Sequence, residues 1–270
     1  FPKRVFVQVF EKQISEGPER APSPEGQLVQ EEMRLRSIPV VTLTTEEFLA
    51  NPPSLERTDL VVGDFDWTRM ALRQLGISMP EPPDYPDCLK HLLHRTIWTS
   101  TLAEVQQLLK KASKPTQLFI KPAADTKAFA GLVASNSEDD FWLEYLLGQF
   151  DPAFPVLCST LLDIVAEYRA YAVDGEVRAC CHYKGPSTPG PDMAVVGAAV
   201  RALAASAEGR ALRGCGADFA VGRGGAATAT GAVEVNDGYR WAPDAGLSGK
   251  DYTDVLVARW EGLVGGGDGV

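Results

Sequence analysis

Three residues near the end of the chain could do chemistry together: Asp218, Glu234 and Asn236. In "VEVNDGY" (233–239) successive strand side chains alternate, so Glu234 and Asn236 point to one face and Val233 and Val235 to the other. Asp218 opens "DFAV", and the Gly-rich hairpin "GRGGAATATG" (222–231) returns the chain to "VEVN". Adjacent antiparallel strands bring side chains within about 5 Å of one another, so the three can converge. Two carboxylates at that spacing repel unless a cation sits with them. Carboxylate and amide oxygens are what Mg²⁺ accepts, leaving positions for phosphate oxygens and water. The alternative is the polar, solvated face of a half-buried strand.

Basic residues precede this set. Lys121 ends the strand "LFIKP", and Lys127 lies in the loop "DTKAFAG", which ends at Gly131. A small loop carrying a Lys can close on a phosphate chain with its charge and its backbone N–H groups. The alternative is a pair of exposed lysines. Glu167 and Arg169, two apart on a strand, share a face, and Arg178 on the partner strand could reach them. A cross-strand salt bridge of little energetic weight would read the same way. Cys180 and Cys181 could be nucleophiles, but buried strand cysteines are commoner. No Ser/His/Asp or Cys/His constellation is present, and His91 and His94 have no third ligand nearby.

The elements that must position these groups alternate early in the chain. Strands are expected at 4–10, 38–44 and 59–65. Helices are expected at 27–37, 45–51 and 66–76, the last closed by Gly76, with a Pro/Gly-rich loop at 17–26. That alternation argues for a parallel α/β unit. The Pro-rich stretch 77–86 is a plausible boundary. A helical stretch is expected over 87–111, with Thr101 and Glu104 forming a capping box. Strands follow at 117–122, 132–135 and 155–160, then a hairpin over 166–184 turning on Asp174-Gly175. A helix over 194–213 buries a stripe of Val196, Val200, Leu203 and Ala207, and a closing helix covers 251–264.

A length of 270 residues fits one large or two modest domains. The net charge of −10 argues against non-specific binding to nucleic acid or to acidic membranes, though not against an anion in a local basic pocket. No apolar run approaches the length of a membrane span. Five scattered cysteines, without CxxC spacing, fit a reducing, cytoplasmic setting and not a disulfide framework or a zinc site. A start at Phe1 and the end "GGGDGV" suggest a fragment or trimmed domain.

The order of these groups resembles the ATP-grasp superfamily. "FIKP…TKAFAGLV", "AEYRAYAVDGEV", "HYKG" and "VEVNDGY" together resemble its clade marked by an Arg and two Lys. "DLVVGD…ALRQLGI…DYP" and the closing Tyr252, Leu256, Arg259 and Trp260 fit one bacterial and viral family of that clade. The likeness runs from about Arg4 to Leu263.

The resemblance implies an ATP-grasp fold of mixed α/β and α+β type. It divides the chain into an N-terminal α/β pre-grasp domain (1–80), a helical connection (81–115) and an ATP-grasp domain (116–264) of two α+β subdomains. In that family ATP lies between the subdomains. By likeness Lys121 and Lys127 hold phosphates, and Cys158, Ser159, Thr160 and Leu161 form the hinge that meets adenine. Asp163 and Glu167 match the ribose side, and Asp218, Glu234 and Asn236 match the Mg²⁺ set. Arg169, Arg178 and Lys184 match basic positions that face the phosphates or the acceptor, and Arg95 falls near a further phosphate-binding position. Two departures stand out. Thr160 takes the place of a frequent hinge Glu, and Arg240-Trp241 follow "VEVNDGY" where small residues are usual.

The activity implied is an ATP- and Mg²⁺-dependent ligase joining a carboxylate to an amine, with small-molecule or peptide substrates, through an acyl phosphate. A kinase-like enzyme and an inactive ATP-binding module are the competing readings.

Overall fold

Local signals build most of the elements. In the computed structural model, which describes residues 2–14, 17–80, 83–124, 128–137, 140–224, 227–239 and 243–265, the chain opens with strands β1 (Arg4–Ile14) and β2 (Gly17–Pro22) and helix α1 (Pro24–Leu35). Then come β3 (Val40–Leu43), α2 (Thr45–Ala50), β4 (Asp59–Val62) and α3 (Phe65–Gln74). The middle holds β5 (Ile97–Thr101), α4 (Leu102–Lys111), β6 (Gln117–Pro122), β7 (Leu132–Ser135), α5 (Trp142–Gln149) and β8 (Pro155–Ser159). Next are β9 (Ile164–Val173), β10 (Glu176–Lys184), α6 (Met193–Ala205) and the short α7 (Ala207–Arg210). Strands β11 (Gly214–Gly224) and β12 (Ala227–Asp237) lead to α8 (Gly249–Gly265).

Thr101 caps α4 with Glu104 in the expected capping box, and Thr44 with Glu47 does the same for α2. Gly76 closes α3 at φ +72, where its N–H and that of Ile77 take up the last carbonyls of the helix. Asp174 and Gly175 both have positive φ, as a tight two-residue hairpin turn requires.

The chain divides into two units, Phe1–Leu92 with Ile164–Val270, and Leu93–Asp163. In the first, β1 lies between β3 and β4, parallel to both, and pairs antiparallel with β2 along its second half. Val5, Phe6 and Val7 of β1 are fully buried, as a strand covered on both faces must be. The second sheet of this unit is antiparallel, in the order β10-β9-β11-β12. Helix α8 packs on α1 and on β11 and β9, and one apolar cluster runs from Val5 and Trp67 through Val255 and Leu256 to Tyr171. The second unit is a sheet in the order β5-β8-β6-β7, with α4 and α5 on a core that includes Leu102, Val105, Ile120, Leu146 and Val156.

Four expectations are corrected. The helix expected over 87–111 is a 3₁₀ turn at Asp87–Leu92, then β5, then α4. Leu89, Leu92, Leu93 and Ile97 have helical spacing, but His94 takes φ +49 and "IWTST" is rich in β-branched and aromatic residues that suit a strand. The helical connection expected over 81–115 therefore contains a strand, and the second unit begins inside it at Leu93. The Pro/Gly-rich segment expected as a loop contributes β2, an edge position where proline costs no ladder bond. The helix expected over 194–213 breaks at Ser206, whose hydroxyl accepts from the Gly209 N–H, so Ala207 leaves the buried stripe and is exposed.

The end of β12 is anchored by a buried ion pair. Arg259 of α8 donates from Nε to Asp237 Oδ2 at 2.8 Å, and its Nη2 lies 2.6 Å from the same oxygen as an ion pair, with both side chains 1% exposed. Arg259 Nη1 also donates to the Ala211 carbonyl at 3.0 Å, and Asp237 Oδ1 accepts the Tyr239 N–H at 3.0 Å. Gly238 follows where a Cβ would meet the Arg259 side chain and the Gly214 carbonyl at 3.0 Å. Removing one partner strands a buried charge. Arg259→Met is therefore expected to lower unfolding free energy by about 3–5 kcal/mol in urea titration, and Arg259→Met with Asp237→Leu to lose less.

Candidate functional site

Three neighbouring strands of the antiparallel sheet bring Arg169, Asp218 and Glu234 into one row. Arg169 of β9 pairs with Asp218 of β11, and Asp218 pairs with Glu234 of β12. Directly opposed residues share a face, so all three side chains lie on one side. The β11–β12 register shifts after Asp218, which leaves Val233 as an extra residue in β12. Such a bulge re-aims the side chains beside it. Val235 on the opposite face is buried.

The Arg169 guanidinium grips Asp218 with two bonds, Nε to Oδ1 at 2.7 Å and Nη2 to Oδ2 at 2.9 Å. Asn236 adds its amide, with Nδ2 at 3.3 Å from Asp218 Oδ2 and 3.4 Å from Glu234 Oε1. Arg169 Nη1 also lies 3.9 Å from Asp244 Oδ2. Asp244 is held by Tyr171, whose hydroxyl donates to Oδ2 at 2.5 Å and accepts the Asp244 N–H at 3.0 Å.

One guanidinium thus serves several carboxylates. Burial pushes the Asp218 carboxyl up from 3.8 to about 6; Arg169 opposes the rise, and the charges of Glu234 and Asp244 add to it. Burial disfavours the charge on Arg169, but its bonds to Asp218 and the nearby acids outweigh that and raise its pKa. The donor chemistry, two carboxylates and a carboxamide brought together, suits a hard divalent cation. Among the described residues no group of three or more His, Cys, Asp or Glu is arranged to hold a metal, and here the third oxygen belongs to an amide.

A second cluster sits beside the first. Glu167, two residues before Arg169, is buried, with Lys184 Nζ at 2.6 Å from Oε1 and the Tyr183 hydroxyl donating to Oε2 at 2.9 Å. Lys184 pairs with Glu167 across a bulge that makes Tyr183 the extra residue of β10. The Arg169 guanidinium carbon lies 5.3 Å from the centre of the Tyr183 ring, so this tyrosine touches both acid-bearing groups. Arg178 is not brought to them. It is the extra residue of another bulge, near the hairpin turn, 3.8 Å from Glu176. Burial pushes the Cys180 thiol up to about 11 and raises that of Cys181 as well, which removes both as poised nucleophiles.

In the second unit, Lys121 sits half-buried at the end of β6, opposite Leu157. Ser159 ends β8 and is buried. Thr160 and Thr96 bond reciprocally, Thr160 N–H to the Thr96 carbonyl at 3.1 Å and Thr96 N–H to the Thr160 hydroxyl at 3.2 Å. Thr160 thus ties the end of β8 to the start of β5. Leu161 and Asp163 are exposed, and Arg95 is half-buried. Lys127, Arg240 and Trp241 lie outside the described residues.

Sequence reasoning missed Tyr183, Tyr171 and Asp244. The "YK" that follows Cys180-Cys181-His182 marks Tyr183 only once the bulge is known. Because its folded-state pKa is raised above 3.8, the ionised Asp218 is disfavoured by folding. Its favourable contribution is full below about pH 4 and is lost as pH rises through about 6. Carboxyl-carbon NMR should show Asp218 titrating near pH 6, and Glu234→Gln should move that midpoint down by removing a like charge.

A family model matches residues 92–255, that of the ATP-grasp domain in family 2 of the clade marked by an Arg and two Lys. No curated protein matches the chain. Among solved structures, the chain is similar to a RimK domain ATP-grasp protein from Sphaerobacter thermophilus, with a TM-score of 0.58, 15% identity and coverage of 97% of this chain and 99% of that one. It is also similar to D-alanine–D-alanine ligase from Bacillus anthracis, with a TM-score of 0.53, 14% identity and 97% of each chain covered. A third is the macrocyclase MdnC from Microcystis aeruginosa, bound with precursor peptide MdnA, at a TM-score of 0.53 and 13% identity over 94% and 99% of the two chains. At these identities the likeness is one of fold. The family match spans more than half of the chain, which therefore belongs to the ATP-grasp superfamily, in family 2 of the clade marked by an Arg and two Lys.

Proposed function

We propose that the chain is an ATP- and Mg²⁺-dependent ligase that joins a carboxylate to an amine through an acyl phosphate. The observation that carries this reading is the row of Arg169, Asp218 and Glu234 with Asn236, an acid-rich cluster on paired strands in a member of the ATP-grasp superfamily. Solved relatives in fold include a D-alanine–D-alanine ligase and a macrocyclase bound with a precursor peptide, which supports an amino acid or peptide as the carboxylate.

Asp218, Glu234 and Asn236 would hold Mg²⁺ through their oxygens. Lys121, Lys127 and Arg169 would neutralise phosphate oxygens, the main demand of phosphoryl transfer. Glu167 would take a ribose hydroxyl, oriented for it by Tyr183 and Lys184. Ser159, Thr160 and Leu161 would present backbone groups to adenine, with Asp163 close to the ribose side. Lys184 would face the acceptor from its exposed position at the end of β10. When bound, ATP activates the carboxylate as an acyl phosphate and Mg²⁺ neutralises the phosphate chain. The protein's own groups supply position and charge, not a covalent nucleophile.

A thermal-shift titration with ATP and Mg²⁺ tests the reading. Ligand at about 100 times Kd stabilises by about 2.7 kcal/mol, so the wild type should melt several degrees higher. Lys121→Ala and Glu234→Ala should lose most of that shift. Phosphate release that requires both a carboxylate and an amine establishes the ligase. A stable phosphorylated product from one acceptor establishes a kinase instead, and no shift in the wild type removes the nucleotide reading.

A further inference from the structure

The cluster around Asp218 is already satisfied by the protein itself. Arg169 occupies both Asp218 oxygens, and Asn236 turns its N–H₂ group, not its oxygen, toward Asp218 and Glu234. A cation bound by Asp218 therefore competes with a bidentate guanidinium for the same carboxylate charge, and the Asn236 amide must rotate to offer its oxygen. The displaced guanidinium does not lose all its counter-charge. Asp244 lies 3.9 Å from Arg169 Nη1, and the Tyr171 hydroxyl fixes it there.

We propose that Arg169 holds the cation position while the site is empty, and that Asp244, oriented by Tyr171, is the carboxylate to which it moves when a divalent cation takes Asp218. This rests on the reading of Asp218, Glu234 and Asn236 as cation ligands. Arg169 is then a competitor of the metal at Asp218, and Asp244 is a positioning residue that acts through Arg169. Exchange of a charged side chain for a cation keeps the buried carboxylates neutralised in both states. Coupling of this kind lets the arrival of the metal set the position of the guanidinium.

The two roles predict effects of opposite sign on binding of Mn²⁺ alone, read as free Mn²⁺ by electron paramagnetic resonance with the full chain and no nucleotide. Arg169→Gln should bind Mn²⁺ about tenfold more tightly than the wild type, because a charge-assisted fork no longer competes. Asp244→Asn keeps an acceptor for the Tyr171 hydroxyl but removes the charge, and should bind about threefold more weakly. In the Arg169→Gln background, Asp244→Asn should change little, since its effect passes through Arg169.

Circular dichroism and Tm check the fold of each variant. Arg169→Lys, which keeps the charge but loses the fork, serves if Arg169→Gln does not fold. Mn²⁺ binding to either Arg169 variant that is no tighter than to the wild type overturns the exchange. Equal weakening by Asp244→Asn in both backgrounds is simple long-range attraction and overturns the role of Asp244. If neither the wild type nor an Arg169 variant takes up Mn²⁺, the exchange also falls. Uptake with ADP present that Glu234→Gln abolishes then shows that the cation site itself survives, and no uptake with ADP shows that it falls too.

Discussion

The crowding of the carboxylates of Asp218, Glu234 and Asp244 around Arg169 in the antiparallel sheet is the constraint on which the rest of the site depends. Asp218 is buried and bonded to Arg169, Glu234 is its cross-strand neighbour, and Asp244 approaches the same guanidinium. Buried like charges are tolerated only where something neutralises them. Among the described residues, Arg169 and the Asn236 amide bond these acids. Nothing in the packing of β9, β11 and β12 requires acids at these positions, since the same ladder would form with apolar pairs. Their presence against the folding tendency supports the proposed reading of this patch as a cation site.

That patch needs strands that cannot slip, because a register shift of one residue would turn every side chain to the other face. The register of β12 is held at both sides. The Asp84 carbonyl accepts the Val235 N–H at 2.8 Å, and the buried Asp237–Arg259 pair ties the strand end to α8. Helix α8 is itself fixed on the N-terminal layer, where Trp260 Nε1 donates to the Arg57 carbonyl and Arg57 Nη1 donates to the Val264 carbonyl. Arg259 and Trp260 therefore support the strand that carries Glu234 and Asn236 through a chain of contacts.

Much of this is legible in the sequence where the cause is local. The capping box at Thr101 and Glu104, the closure at Gly76, the turn at Asp174-Gly175 and the acid and amide of β12 each follow from neighbouring residues. The bulges at Arg178, Tyr183 and Val233 are not legible, because one inserted residue leaves no trace in composition. They decide that Tyr183 joins the Glu167 cluster and that Arg178 does not. Strand β5 reads as helix in the sequence because four apolar residues fall at helical spacing, and short apolar runs carry that ambiguity. The Asp237–Arg259 pair joins residues 22 apart, and only folding brings it together.

The amide at position 236 has a physical logic that a third acid would lack. Asp218 and Glu234 already face one another, and a carboxylate at 236 would add a like charge at hydrogen-bond distance from both. An amide adds no charge and carries a donor and an acceptor on one pivot. With its N–H₂ group turned inward it supports the two acids beside Arg169, the arrangement in this structure. Turned by half a rotation, the same side chain offers an oxygen to a cation. The strand "VEVN" thus places two different tools side by side, a charge that demands neutralisation and a neutral group that can serve whichever partner supplies it.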